Sequence, residues 1–251
     1  MPVRSVCEES VVRLELDVGN SRVKWRLVSD RVESEGVTTL QDSQWPEVSL
    51  DAIWVSSVAA SEVNEALSVE FEQRYGCTAE FARVSQECAG VRCGYEDISR
   101  LGVDRWLALL AAYHKHQWVP AIVVDAGSAV TIDLLDADGQ HTGGFITPGY
   151  RMLQSALLGQ TANIRFEQEA KALPLGGADT ASCVASGAEL VFAGLAHSIL
   201  MLKAEFNEQA KVLLTGGDAS KLFECLKSEQ GVECISSLVL DGLMLAERVA
   251  L

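Results

Sequence analysis

The sequence predicts an α/β protein built from two similar half-domains that face each other across a cleft. Residues 14–28 read LELDVGNSRVKWRLV, two alternating segments joined by Gly19-Asn20-Ser21, the pattern of a β-hairpin with one apolar face. Residues 121–135 read AIVVDAGSAVTIDLL: again an apolar segment ends in Asp, a Gly-Ser turn follows, and an alternating segment leaves it. Asp17 and Asp125 stand 108 positions apart, about half the chain. In each half a strand, a small-residue turn and a helix come later, AIWVSSVAASEVNEAL from Ala52 and VLLTGGDASKLFECL from Val212. Two such halves, residues 13–117 and 118–251, bring two hairpin tips opposite each other.

In order along the chain, residues 1–12 lack periodicity and read as a loose tail. Residues 14–38 form a three-strand meander, 40–50 a polar loop with Pro46, and 53–58 a buried strand. Ser61 is placed to cap a helix that runs to about Tyr75, and residues 78–84 form a short strand. A loop with Gly90, Gly94 and Tyr95 leads to a helix over 104–116 whose Trp106, Leu107, Leu109, Leu110 and Tyr113 give a broad apolar surface. The second meander spans 121–146, with a turn at Asp138-Gly139, and tight backbone follows in GGFITPG. A helix over 151–160, an irregular polar stretch over 160–171 and a glycine-rich loop over 173–178 come next. Asp179 or Thr180 caps a helix over 181–207 that is apolar on nearly every side, suited to a core or an interface. A strand over 211–215, a Gly-Gly-Asp turn, a helix over 219–227 and a last helix over 240–249 complete the chain.

The chain has 251 residues and a formal net charge of −15. Such an acidic balance disfavours nucleic acid, whose binding needs clustered Lys and Arg, and an anionic membrane surface. Anionic substrates need local positive contacts, and Lys24, Arg100, Arg105 and Arg151 stand near the stretches of interest. Seven scattered cysteines show no zinc spacing and read as reduced thiols of a cytoplasmic protein. The first ten residues carry no apolar signal-peptide core. The longest apolar stretch, residues 190–202, is interrupted by His197 and too short to span a bilayer. Walker A, HExxH, GxSxG and GxGxxG patterns are missing, and His114-x-His116 on a helix diverge too far for a metal pair.

The first hairpin puts a carboxylate just before a tip of small residues and a lysine just after it. Small residues let backbone N–H groups approach an anion, Asp17 can hold a hydrated Mg²⁺, and Lys24 can add positive charge; an ordinary tight turn with a solvated Asp has the same appearance. Asp104 falls at or near a helix N-terminus, where free N–H groups and the dipole favour a carboxylate. It reads either as a plain N-cap or as a functional acid. Arg105 taken alone is a surface arginine. Gly216-Gly217 is either a plain turn or a place where adenine or ribose lies against backbone.

As a set, DVGNSRVK (17–24), GY (94–95), GVDR (102–105), DAGSAVT (125–131), GGFITPG (143–149) and DT (179–180) resemble the type III pantothenate kinases, members of the actin/sugar-kinase/heat-shock chaperone superfamily. The resemblance runs from about residue 14 to the C-terminus. It implies two actin-like (ribonuclease H-like) half-domains around a nucleotide cleft, and ATP-dependent phosphorylation of pantothenate to 4′-phosphopantothenate, the first step of coenzyme A biosynthesis. It implies that Asp17, Val18, Gly19, Asn20, Ser21, Arg22, Val23 and Lys24 form the ATP-phosphate loop, with Asp17 near the Mg²⁺. Ser128 then contacts ATP from the second hairpin, and Asp125 helps hold a monovalent cation, K⁺ or NH₄⁺. Tyr95, Gly102, Val103, Asp104 and Arg105 line the pantothenate pocket, with Asp104 the proton acceptor, and Thr180 contacts pantothenate across a homodimer interface. The family usually has Thr at position 128 and often at position 21; Ser keeps the hydroxyl at both. Two other readings remain: a non-catalytic accessory regulator of the same family, against which the intact Asp17, Asp104, Arg105 and Asp125 argue, and a kinase of another small hydroxyl-bearing acid or sugar.

Overall fold

The computed structural model describes residues 11–20, 22–41, 44–160, 164 and 170–251. Ser21, the tail over 1–10 and most of the stretch over 160–171 lie outside the described residues. Strands β1 (Arg13–Val18), β2 (Val23–Val28) and β3 (Val32–Thr38) form an antiparallel meander. Strand β4 (Ala52–Ser57) returns parallel to β1, and helix α1 (Ser61–Tyr75) leads to β5 (Ala79–Ala82), parallel to β4. A short ribbon, β6 (Glu87–Cys88) and β7 (Val91–Arg92), precedes helix α2 (Val103–Lys115). The plan then repeats. Strands β8 (Ala121–Ala126), β9 (Ala129–Leu135) and β10 (His141–Pro148) form the second meander. After helices α3 (Tyr150–Gln160) and α4 (Thr180–Phe206), strand β11 (Lys211–Thr215) lies parallel to β8. Helix α5 (Ala219–Leu226) leads to β12 (Val232–Cys234), parallel to β11, and helix α6 (Leu238–Gly242) and strand β13 (Arg248–Ala250) end the chain. Each sheet has the order third, second, first, fourth, fifth strand of its half.

The register explains why the two aspartates converge with similar surroundings. Asp17 on β1 is the partner of Ser56 on β4, and Asp125 on β8 is the partner of Thr215 on β11. Partners in a parallel pair point to the same side of the sheet, so each aspartate stands beside a buried hydroxyl.

Helix α2 fills the layer between the sheets. All nine side chains from Arg105 to Tyr113 are buried, and they pack with Val91, Val123, Leu135 and Leu213 and with Leu238, Val239 and Leu240 of α6. Both faces of β1 are therefore covered, and Glu15, which alternation assigns to a polar face, is fully buried. It pairs with Arg13 and Arg26, and Arg26 also reaches Asp241 and the Leu240 carbonyl, tying the first sheet to α6.

Three expectations are corrected. Helix α1 starts at Ser61 with Ala60 as its N-cap and no side-chain cap. The last helix ends at Gly242, and residues 248–250 instead pair antiparallel with β5, extending the first sheet. A free sheet edge outweighs local helix preference there, and the Arg248 guanidinium anchors the strand by lying 3.7 Å from the Trp54 ring centroid. The stretch over 190–202 is extended N-terminally by small residues in helix α4, and by length and composition that helix is long and apolar enough to cross a membrane. It begins with a capping box between Asp179 and Ser182. One side, including Phe192, Ala196 and Ile199, packs with Ile122, Val124 and Leu222 in the second core, while Leu190, Val191 and Met201 are exposed.

Candidate active site

Both hairpin tips are closed by short backbone bonds, Gly19 N–H to the Arg22 carbonyl at 3.0 Å and Gly127 N–H to the Ala129 carbonyl at 2.9 Å. In the first, Asp17 and Lys24 are cross-strand partners. Lys24 also donates to the Ser236 carbonyl at 3.4 Å. The turn after β11 closes on the second aspartate: Gly216 has φ +94°, and a Cβ there would come within 2.3 Å of Asp125 Oδ1. A side chain at 217 would meet Arg22 of the first hairpin, its nearest neighbour at 3.9 Å, so the two halves meet at this turn.

The electrostatics tie the parts together. Burial pushes the Asp17 carboxyl up to about 7; Lys24 opposes the shift, while Asp125 and Asp104 add to it. Burial, then the Asp104 charge, push Asp125 up to about 6, again against Lys24. Burial also raises Asp104, offset in part by the Arg105 amide and charge. The Asp17 and Asp125 carboxylates thus share a single lysine, and the Asp104 charge from α2 acts on both. The hydroxyls of Ser56 and Thr215, each buried beside one of the two strand aspartates, have no hydrogen-bond partner among the described residues; Ser56 lowers the Asp17 pKa without meeting hydrogen-bond geometry.

Asp104 is not the N-cap of α2. Gly102 holds that position without a side-chain bond, and Asp104, in the first turn, accepts from the Arg105 N–H at 2.8 Å. Nor is Arg105 on the surface: it is 6% exposed. Its Nε donates to Asp133 Oδ2 at 2.8 Å, one terminal nitrogen to Asp133 Oδ1 at 2.6 Å, and the other to the Tyr95 hydroxyl at 2.8 Å. His141 Nε2 lies 2.9 Å from Asp133 Oδ1, and the His141 and Tyr95 rings stack with centroids 5.9 Å apart. Burial alone would raise Asp133, but the hydrogen bonds from His141 and Arg105 outweigh it and hold the carboxyl below its usual range.

A family model described as type III pantothenate kinase matches residues 13–201. A Pseudomonas putida protein named type III pantothenate kinase is 36% identical over 247 residues, covering 93% of this chain and 98% of its own. The chain belongs to the type III pantothenate kinase family. Among solved structures, a protein assigned as a 2-dehydro-3-deoxygalactonokinase from Sinorhizobium meliloti aligns with TM-score 0.53 and 13% identity, covering 92% of this chain and 97% of that one. A protein described as a Baf family transcriptional activator from Campylobacter jejuni aligns with TM-score 0.51 and 22% identity, covering 92% and 95%. At these identities the two structures speak for the fold alone: the kinase has the two-lobed nucleotide-binding architecture.

In this kinase Asp17, Lys24, Asp104 and Asp125 come together, and Tyr95, Arg105 and the first turn of α2 with Gly102 and Val103 adjoin them. Val18 and Val23 are buried at the strand ends that flank the first tip, whereas Asn20 and Arg22 are exposed on it. Ser128 is exposed at the second tip, where its carbonyl accepts from the Gly149 N–H at 3.0 Å. Thr180 is exposed at the start of α4 and makes no hydrogen bond or ion pair with this group. Sequence reasoning missed Asp133 and His141. The available signal was a charged residue within the apolar run of β9, because an unpaired charge is not left in such a strand.

A divalent cation would fit the donor set, which is all oxygen around two desolvated carboxylates. No three His, Cys, Asp or Glu side chains among the described residues could together hold one ion, so these residues would supply only part of its ligands.

Proposed function

We propose that this chain transfers the γ-phosphoryl group of ATP to the primary hydroxyl of pantothenate, giving 4′-phosphopantothenate and ADP. The observation that carries the reading is the convergence of Asp17 and Asp125 around Lys24, with the Asp104 charge acting on both, at the facing ends of two repeated sheets. The hairpin over 17–24 and Ser128 hold the phosphates, so that the acceptor hydroxyl can approach phosphorus opposite the leaving ADP oxygen, as in-line transfer requires. Asp104 takes the hydroxyl proton as the oxygen attacks phosphorus and the bond to ADP breaks. Lys24 offsets charge on the transferring group, and Arg105, with Tyr95, binds the pantothenate carboxylate. Bound Mg²⁺ supplies further charge neutralisation across the phosphates. Asp17 would hold it, and Asp125 with its Thr215 neighbour suits a monovalent cation, K⁺ or NH₄⁺.

The exposed Leu190, Val191 and Met201 on α4 suit a homodimer interface, which would bring Thr180 to the pocket of a second copy. The two half-domains divide near residue 117. The six described cysteines are all free, which suits the cytoplasm. The test is ADP release with pantothenate and Mg-ATP, with and without K⁺ or NH₄⁺. Turnover that requires pantothenate and rises with the cation supports the reading; folded protein with no turnover under any cation overturns it and turns attention to other hydroxyl-bearing acids and sugars.

A further inference from the structure

We infer that Asp133, braced by His141, is a positioning residue that aims Arg105 at the acceptor's carboxylate, so that acceptor affinity and selectivity depend on two side chains that never touch the acceptor. This rests on the pantothenate reading above. Arg105 has five N–H donors in a rigid fork. Asp133 takes the Nε side of the fork with two bonds, and Tyr95 takes one hydrogen of the remaining nitrogen. Two N–H groups, one on each terminal nitrogen, are left without a protein acceptor among the described residues. With Tyr95 on the Cδ-side hydrogen of its nitrogen, these two make an end-on pair, the arrangement that receives a carboxylate. Rotating the fork would break both bonds to Asp133, so the free pair has one direction.

His141 fixes Asp133 in turn. It is fully buried, its Nε2 faces Asp133 Oδ1, and its Nδ1 has no partner among the described residues. The one side-chain hydrogen bond the ring makes among those residues is therefore the one to Asp133. Asp133 then cancels the Arg105 charge, and the guanidinium acts as a directed donor pair instead of a free cation. The backbone makes room for this: a Cβ at Gly144 would lie 2.6 Å from Asp133 Oδ1 and 2.8 Å from the Arg105 terminal nitrogen. Asp133 and His141 sit on neighbouring strands β9 and β10, and the Tyr95 ring closes over His141, so acid, imidazole, phenol and guanidinium form one unit.

The test is steady-state kinetics with pantothenate and with its alcohol analogue, in which CH₂OH replaces the carboxylate. Wild type is measured first; lack of turnover with pantothenate sinks the functional reading itself, not this inference. Given turnover, Asp133→Asn is expected to raise KM for pantothenate about 10- to 100-fold, with KM for ATP within about twofold and the preference for pantothenate over the alcohol largely lost. His141→Phe, which keeps the stacked ring and removes the N–H, is expected to move the same parameters in the same direction, while His141→Gln, which keeps a donor, stays within about threefold of wild type. Folded variants with unchanged pantothenate KM and unchanged preference overturn the inference. So does an equal rise in both KM values, which marks general loosening. If Asp133→Asn fails to fold, the two His141 variants decide alone.

Discussion

Two groups of acid lie side by side in this protein, one buried and one half-buried, and they respond to desolvation in opposite ways. Asp133 is held below its usual pKa, whereas Asp17 is pushed up to about 7 and Asp125 to about 6. The difference is in partners. Asp133 has a bidentate guanidinium and an imidazole, while Asp17 and Asp125 share one lysine, feel the Asp104 charge, and stand beside two hydroxyls that have no hydrogen-bond partner among the described residues. The chain completes the first group by itself. The second is left short of positive charge, and in a kinase that shortfall is where cations and phosphates enter. One group holds a shape, and the other is held ready.

Substitutions should separate the two groups by opposite signatures. The largest effect is expected from Asp104→Asn. It keeps the first turn of α2 but removes the proton acceptor, and kcat should fall about 10²- to 10⁴-fold with the melting temperature nearly unchanged. Stopped turnover in a folded variant that still binds ATP, seen by calorimetry, fits this role; near-normal turnover removes it. Because burial raises Asp104, the acidic limb of the wild-type pH–rate profile should stand above the range of an ordinary carboxylate.

Next in size is the structural cost of breaking the completed group. Asp133→Leu leaves the Arg105 charge buried and unpaired, and about 3–5 kcal/mol of stability should be lost, read by urea denaturation at pH 7.5. A loss below about 1 kcal/mol would mean that Arg105 finds another acceptor and that the group is not closed.

How much of this contrast the sequence carried can be traced residue by residue. The repeated Asp-x-Gly-polar turns were legible because strand alternation and turn chemistry are local, and they led to both sheets and to Asp17 and Asp125 facing each other. The partners of Asp133 were not legible. Alternation marks it as polar, but its partners come from α2, β10 and the loop before α2, and no local pattern reports a burial made by three distant segments. Glu15 was misplaced for the same reason, since its face of β1 is polar by alternation and is covered only when α2 and α6 arrive. The strand over 248–250 was lost to helix preference because the edge of β5 that receives it lies about 170 residues earlier.

The smallest effect expected is the pH dependence of stability in the ligand-free protein, and its sign distinguishes the two groups. A carboxyl whose folded pKa is raised contributes stability that is full below the unfolded value of 3.8 and is lost as pH rises through the folded value, here about 7 for Asp17 and about 6 for Asp125. Asp133, held low, does the reverse and contributes above pH 4, so between pH 5 and 8 only the incomplete group should vary. At one pKa unit per 1.36 kcal/mol, and with the two acids coupled, a loss of roughly 2–4 kcal/mol across that window is expected. Asp17→Asn should remove most of it, leaving a protein that is inactive yet melts higher than wild type at pH 8 and about equally at pH 5. Saturating Mg-ATP should flatten the wild-type curve in the same way, because bound cations supply the missing charge. A wild-type melting temperature that rises from pH 5 to 8, or an Asp17→Asn protein that melts lower at pH 8, would mean that Asp17 is already paired and that the two groups differ less than their partners indicate.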